Sequence, residues 1–161
     1  MCHFSDNFAR SIFELMDQRI IKFFKKHHVF TLATCCDGQP WCSSMFYAFI
    51  EEDATLLFTS DPATRHVMEA TQNQRVAGAI ALETEVIGLI RGVQFSGVML
   101  EPSTPEAKKK ARRAYLKRFP YAVLNASPLW ILALHQVKFT DNALGFGKKL
   151  RWSKESGEEG S

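Results

Sequence analysis

The stretch Leu56-Leu57-Phe58-Thr59-Ser60-Asp61-Pro62-Ala63-Thr64-Arg65-His66 passes from one kind of order to another without a linker. Its apolar first part reads as a buried strand. Asp61 suits an N-cap, and Pro62 is pre-set for the first position of a helix. A hydroxyl, a guanidinium and an imidazole then fall in the first turn. There the backbone amides lack intrahelical partners and the helix dipole is positive. Such a turn favours an anion and can hold a phosphate without a glycine-rich loop. The same Asp-Pro-x-Thr pattern is also an ordinary helix start, in which Asp61 satisfies some of those amides itself.

Working outward, the apolar pattern alternates between periods. Residues 5–26 read as an amphipathic helix, with Phe8, Ile12, Leu15, Met16, Ile20, Phe23 and Phe24 at three- and four-residue spacing and Ser5 or Asp6 as its cap. Val29 to Thr34 is β-rich, and Asp37-Gly38 signals a hairpin. Trp41 to Ile50 reads as the second strand, Thr55 to Thr59 as the third and Arg75 to Leu82 as the fourth, with a short helix near 62–72. Val86 to Leu100 reads as one or two strands broken by Gly88, Gly92 and Gly97, a spacing that suggests bulges or close approach. Ser103 and Glu106 form a possible capping box for a strongly basic helix that Pro120 ends. Trp130 to Phe139 is the last strand expected, followed by a Gly-rich basic turn over 141–152 and a polar tail from Ser153 that reads as mobile. Strands outnumber helices. The expected architecture is mainly β with peripheral helices: a six- to seven-stranded antiparallel barrel in a single domain spanning 1–152, with 153–161 as tail.

Composition narrows the class. The chain has 161 residues and a formal charge of +3, too mild to name a partner. No secretory leader and no bilayer-spanning run is legible, and the expected compartment is the cytoplasm. Cys35, Cys36 and Cys42 cluster around one turn, but their spacing matches no common zinc pattern, so they read as small buried hydrophobes with no metal.

Several short motifs then carry a resemblance. Leu32-Ala33-Thr34, Asp37-Gly38-Gln39-Pro40, Phe58-Thr59, Thr64-Arg65-His66 and Asn73-Gln74-Arg75-Val76 follow the order found in the FMN-binding split barrels, the pyridoxamine-phosphate-oxidase-like proteins. Ile90 to Gly97, Phe139 to Asn142, Gly145 to Lys149 and Trp152 make the chain similar to the YhbP-type branch of that superfamily. The resemblance implies a split barrel with FMN, its phosphate held by Thr64, Arg65 and His66. It implies that Ser43, Ser44, Met45 and Phe46 line the ring edge, with Thr59 and Ser60 where the third strand meets the phosphate helix. Gln94 is placed to pair with ring atoms. His66 stands where the oxidase has lysine, and Ser43 and Ala48 stand where it has an arginine and a lysine. These departures make pyridoxamine phosphate itself an unexpected substrate.

The resemblance further implies a homodimer with flavin at the interface, acting as an oxidoreductase on a small-molecule substrate or electron partner. The apolar segments 41–50 and 86–100 are the expected interface. Because the cofactor carries the redox chemistry, no catalytic side chain needs to be legible. Two alternatives compete. One is a non-catalytic flavin or haem module, with His66 and His135 as haem ligands. The other is nucleic-acid binding through the basic helix near 104–118, disfavoured by the mild overall charge and by the apolar side that Ala107, Ala111, Ala114, Tyr115 and Phe119 give that helix. No membrane association is expected.

Overall fold

A computed structural model describes residues 15–124, 127–145 and 148–154. The expected N-terminal helix begins, as α1, at Gln18 and runs to Lys26. Its cap is Asp17, whose carboxylate accepts from the Arg19 amide at 2.8 Å and is held near a pKa of about 2, chiefly by its hydrogen bonds to Arg19. The caps proposed at Ser5 and Asp6 lie outside the described residues.

Strands β1 (Val29–Cys36) and β2 (Gln39–Phe46) form a hairpin turned by Asp37 and Gly38, both at positive φ, as a two-residue turn of this type requires. The expected long second strand breaks at Tyr47 and resumes as β3 (Ala48–Ile50). The break has a cause: Tyr47 is fully buried, its hydroxyl donates to the Phe24 carbonyl at 2.7 Å, and its amide donates to the His28 carbonyl. Strands β4 (Thr55–Thr59), β5 (Arg75–Ala81), β6 (Arg91–Leu100) and β7 (Leu129–Asp141) follow. The segment 86–100 is one strand preceded by a 3-10 turn over Ile87–Leu89.

An eighth strand, β8 (Lys149–Ser153), pairs with β7 where a basic turn was expected. Ser153, placed in the tail by its sequence, ends this strand; residues 155–161 lie outside the described part. The sheet order is β2-β1-β5-β6-β7-β4-β3, antiparallel throughout, with β8 beside β7. The result is a curled, split barrel. Its core holds Phe24, Phe30, Leu32, Leu56, Phe58, Phe95 and Leu132, all nearly inaccessible. At Ser96/Gly97 the register against β7 shifts, a β-bulge that bends both strands. A Cβ on Gly97 would stand 2.1 Å from the Ala133 carbonyl oxygen, so only glycine fits.

Two further helices flank the barrel. α2 (Arg65–Gln72) packs on β1 and β2, and α3 (Pro105–Arg118) packs on β3, β4 and β7. α3 is capped by Thr104, whose hydroxyl accepts from the Ala107 amide at 3.1 Å, in place of the expected Ser103–Glu106 box. Pro105 then occupies its first turn.

Candidate functional site

The chain between β4 and α2 is built differently from the simple cap its sequence suggests. Asp61 Oδ1 accepts from the Ala63 amide at 2.8 Å, and the Asp61 carbonyl accepts from the Thr64 hydroxyl at 2.7 Å. Asp61 and Pro62 therefore form a separate turn, and the helix starts later, at Arg65. Its N-cap residue, Thr64, spends its hydroxyl on that turn and caps no helix amide. The hydrogen bonds of the turn stop at the Thr64 amide and resume at the Met68 amide, which donates to the Thr64 carbonyl. The amides of Arg65, His66 and Val67 thus stand at the positive end of the helix without a cap.

Hydroxyls surround His66. Its Nε2 lies 2.7 Å from Ser60 Oγ and 3.2 Å from Thr64 Oγ1, and its Nδ1 lies 3.1 Å from Ser43 Oγ. Ser60 Oγ and Thr64 Oγ1 are 3.3 Å apart. Burial pushes the imidazole pKa below its ordinary value, against a smaller upward pull from Glu69. A neutral ring with one donor and one acceptor nitrogen fits this set of hydroxyls, each of which can give or take a hydrogen. Ser43, where the resemblance places an arginine, therefore serves as an anchor for His66.

Arg65 points beside this group. Its Nε donates to Glu69 Oε1 at 2.6 Å, one turn along, and its guanidinium stacks 4.2 Å from the Trp41 ring centroid. Glu69 is itself fixed by the Thr34 hydroxyl, which donates to Oε2 at 2.6 Å. That hydrogen bond, then the one from Arg65, holds the carboxyl below its usual range. The arginine side chain remains half-exposed, with its terminal amino groups still to be used. Sequence reading missed Glu69, Thr34 and Trp41. The i,i+4 spacing of Arg65 and Glu69 was the one available signal.

The remaining expected residues divide. Thr59 ends β4 beside Ser60, at the expected junction. On β2 the side chains alternate: Ser43 and Met45 turn inward, with Met45 buried in the core, while Ser44 and Phe46 face outward. They cannot all line one ring edge with their side chains, and any common contribution must come from the strand's backbone. Gln94 lies elsewhere. Cross-strand pairing places Ser44, Thr31, Ala79, Gln94, Lys138 and Arg151 in one row on the outer face. Three strand spacings separate Ser44 from Gln94, roughly 14 Å. Gln94 Oε1 accepts from Lys138 Nζ at 3.0 Å, in an open trough of about 560 Å³ that Gln136 and Arg151 also line.

The two expected haem ligands are not brought together either: His66 lies in its hydroxyl cage at the β2 edge, while His135 is exposed on β7, beside the bulge. The cysteines are a correction too. Cys35 and Cys42 are exposed rather than buried, and Cys36 is half-buried with its thiol donating to Gln72 Oε1. Among the described residues, no helix is long and apolar enough to cross a membrane.

A curled sheet of eight strands, with a bare helix start at the edge where β2 meets β4, defines a split barrel of the pyridoxamine-phosphate-oxidase kind. The sequence model described as pyridoxamine 5'-phosphate oxidase matches residues 16–141. A UPF0306 protein of Yersinia pestis bv. Antiqua is 40% identical over 135 residues, covering 84% of this chain and 91% of that protein. The chain belongs to the pyridoxamine 5'-phosphate oxidase family and, within it, to the UPF0306 proteins. Solved structures share the fold at lower identity. A heme binding protein from Mycobacterium smegmatis superposes with a TM-score of 0.65 at 22% identity, over 79% of this chain and 53% of that one. An FAD-binding protein from Mesorhizobium loti gives 0.63 at 21% identity, over 76% and 92%.

Proposed function

We propose that this protein is an FMN-dependent oxidoreductase that holds the flavin phosphate at the start of α2. One observation carries this reading: the uncapped amides of Arg65, His66 and Val67 stand beside a half-exposed guanidinium, where the family resemblance puts a phosphate. The three amides and the free amino groups of Arg65 are a suitable donor set for a dianion. Bound flavin would supply the electron chemistry. The chain's own part is to grip the phosphate, keep Arg65 aimed through Glu69 and Trp41, and hold His66 ready to take a proton beside the anion. The FAD-binding relative supports a flavin as the ligand class.

The distance between the α2 start and Gln94 favours a homodimer. In one chain the two regions lie on different parts of the sheet. A second copy seated on the outer face would bring its own Gln94, Lys138 and Arg151 toward the flavin ring held by the first. Exposed Phe46, Ile87 and Ile90 lie in the two segments expected to meet there. Titration of the full-length protein with FMN and with riboflavin, followed by flavin fluorescence, tests the phosphate site. FMN should bind at least about tenfold more tightly, the scale of a hydrogen bond to a charged group. Equal affinities would remove the phosphate from this helix start.

A further inference from the structure

We propose that this protein binds the surface of an anionic lipid bilayer, through the basic outer side of α3 and the apolar turn that follows it. The inference does not rest on the flavin reading. Beyond α3 the chain makes a 3-10 turn over Pro120–Leu124. The Arg112 guanidinium donates to the Ala122 carbonyl at 3.3 Å and folds this turn back beside the helix. Ala122 and Phe119 pack against the small core that holds Ala111 and Tyr115. Burying apolar area stabilises in proportion to that area, so a segment ordinarily turns its largest apolar side chains inward. Here the order is reversed. The alanine is the residue that packs, while Tyr121 and Leu124 are each 89% exposed and Val123 is 64% exposed. Three bulky side chains grouped in solvent mark a contact surface, which single scattered exposures do not.

The neighbouring charge says what covers them. Lys109, Arg113 and Lys117 repeat every four residues and so share one side of α3, turned away from buried Ala111 and Tyr115. All three are exposed, and the helix has a single acid, Glu106, in its first turn. At the other end Arg118 Nη2 donates to the His27 carbonyl at 2.8 Å, which sets the end of α1, with exposed Lys26, against the end of α3. Cations beside exposed apolar side chains fit a surface with negative charge outside and hydrocarbon just beneath. Tyr121 suits the headgroup level, where a ring with a polar tip meets both surroundings. Nucleic acid offers the same charge, but aliphatic Val123 and Leu124 gain little against a phosphate backbone. Flexible lysines also suit headgroups, which are mobile and present no fixed anion. The sequence expectation of no membrane association came from the lack of a spanning run, and surface binding needs none.

Sedimentation of the full-length protein with lipid vesicles tests this. Vesicles of equal parts phosphatidylcholine and phosphatidylglycerol should carry the protein down, and vesicles of phosphatidylcholine alone should not. Binding should weaken as salt rises. Replacing Lys109, Arg113 and Lys117 together by alanine should weaken it at least about tenfold, given the usual worth of a basic residue near an anionic surface. Replacing Val123 and Leu124 together by serine should weaken it at least about fivefold, the scale of two aliphatic side chains partly buried in lipid. All five positions are exposed, so both variants should unfold on heating with the wild type, and either one alone keeps the test open. Equal sedimentation with both kinds of vesicle, or none with the anionic kind, would overturn the proposal. So would duplex RNA that binds more tightly than the vesicles and is indifferent to the serine variant, the mark of a nucleic-acid surface. A serine variant that passes from dimer to monomer in light scattering, with vesicle binding unchanged, would assign the turn to a second copy of this chain and sink the bilayer reading.

Discussion

Helix α2 carries two basic side chains and ties both into its own framework, whereas α3 carries seven and leaves Lys108, Lys109, Arg113 and Lys117 in solvent. On α2, three hydroxyls hold the imidazole, and a carboxylate and an indole hold the guanidinium. On α3 the fixed cations serve as struts: Arg118 donates to the His27 carbonyl at 2.8 Å and Arg112 to the Ala122 carbonyl at 3.3 Å. Charge density and charge placement are therefore separate properties. An anion-binding group has to be aimed before the ligand arrives, because a flexible lysine loses side-chain entropy on binding that a fixed arginine has already lost. The helix with fewer charges is the better-prepared one.

The largest expected effect tests that contrast directly. Arg65→Ala should weaken FMN binding by about 1.5–3 kcal/mol and leave riboflavin nearly unaffected. Replacing Lys109, Arg113 and Lys117 together by alanine should change FMN affinity less than about twofold, since exposed charges far from the phosphate are screened. If the α3 variant loses as much as Arg65→Ala, long-range field rather than local aim governs binding, and the contrast fails.

A smaller effect is expected from pH. His66 is held neutral in the folded protein, with its pKa below the ordinary 6.5. The unfolded chain therefore takes up the proton first as pH falls. The stability due to the caged neutral ring is full above 6.5 and declines below it. Thermal unfolding between pH 7.5 and 5 should show this decline, and His66→Gln should flatten it. A phosphate held at the α2 start, as proposed, would reverse the preference, because an imidazolium pairs with it. FMN affinity of the wild type should rise as pH drops toward 6, and His66→Ala should remove the rise. An FMN affinity that does not change with pH would leave the imidazole as a structural strut alone.

The smallest effect is assigned to Trp41. Trp41→Leu removes the stacking surface under Arg65, worth about 0.5–1 kcal/mol at an exposed position. FMN binding should weaken by up to about fivefold while Glu69 still holds Nε in place. A larger loss would mean that the indole touches the ligand itself.

Strong local signals made much of the barrel legible. The Asp37-Gly38 turn, the apolar run ending at Thr59 and the alternation in Arg75–Ala81 all describe what the backbone does. The misses have a common origin in contacts remote along the chain. Tyr47 breaks a strand because its hydroxyl reaches Phe24 on α1. Lys149–Ser153 alternates polar and apolar residues, but only pairing with β7 turns so short a segment into a strand. Asp61 carries the right chemistry for a cap, but its oxygens take the Ala63 and Thr64 amides in a turn of their own, and the helix starts only at Arg65. Thr64, Ser60 and His66 were expected at one site and are found together. Ser43 joins them through a hydrogen bond that sequence spacing does not reveal. Gln94 shows the limit of periodicity, which tells the side of a strand a residue faces and not what faces it.

Tyr47 has one more consequence. It is the only residue between β2 and β3, and these strands are the two ends of the sheet. The barrel is thus fastened by the chain itself, at a joint one residue long, so that its terminal strands are drawn toward each other. Unpaired strand ends are the usual route by which β-proteins recruit one another into aggregates. Here that route is narrowed by covalent connection, which disfavours edge-to-edge stacking of one molecule on another.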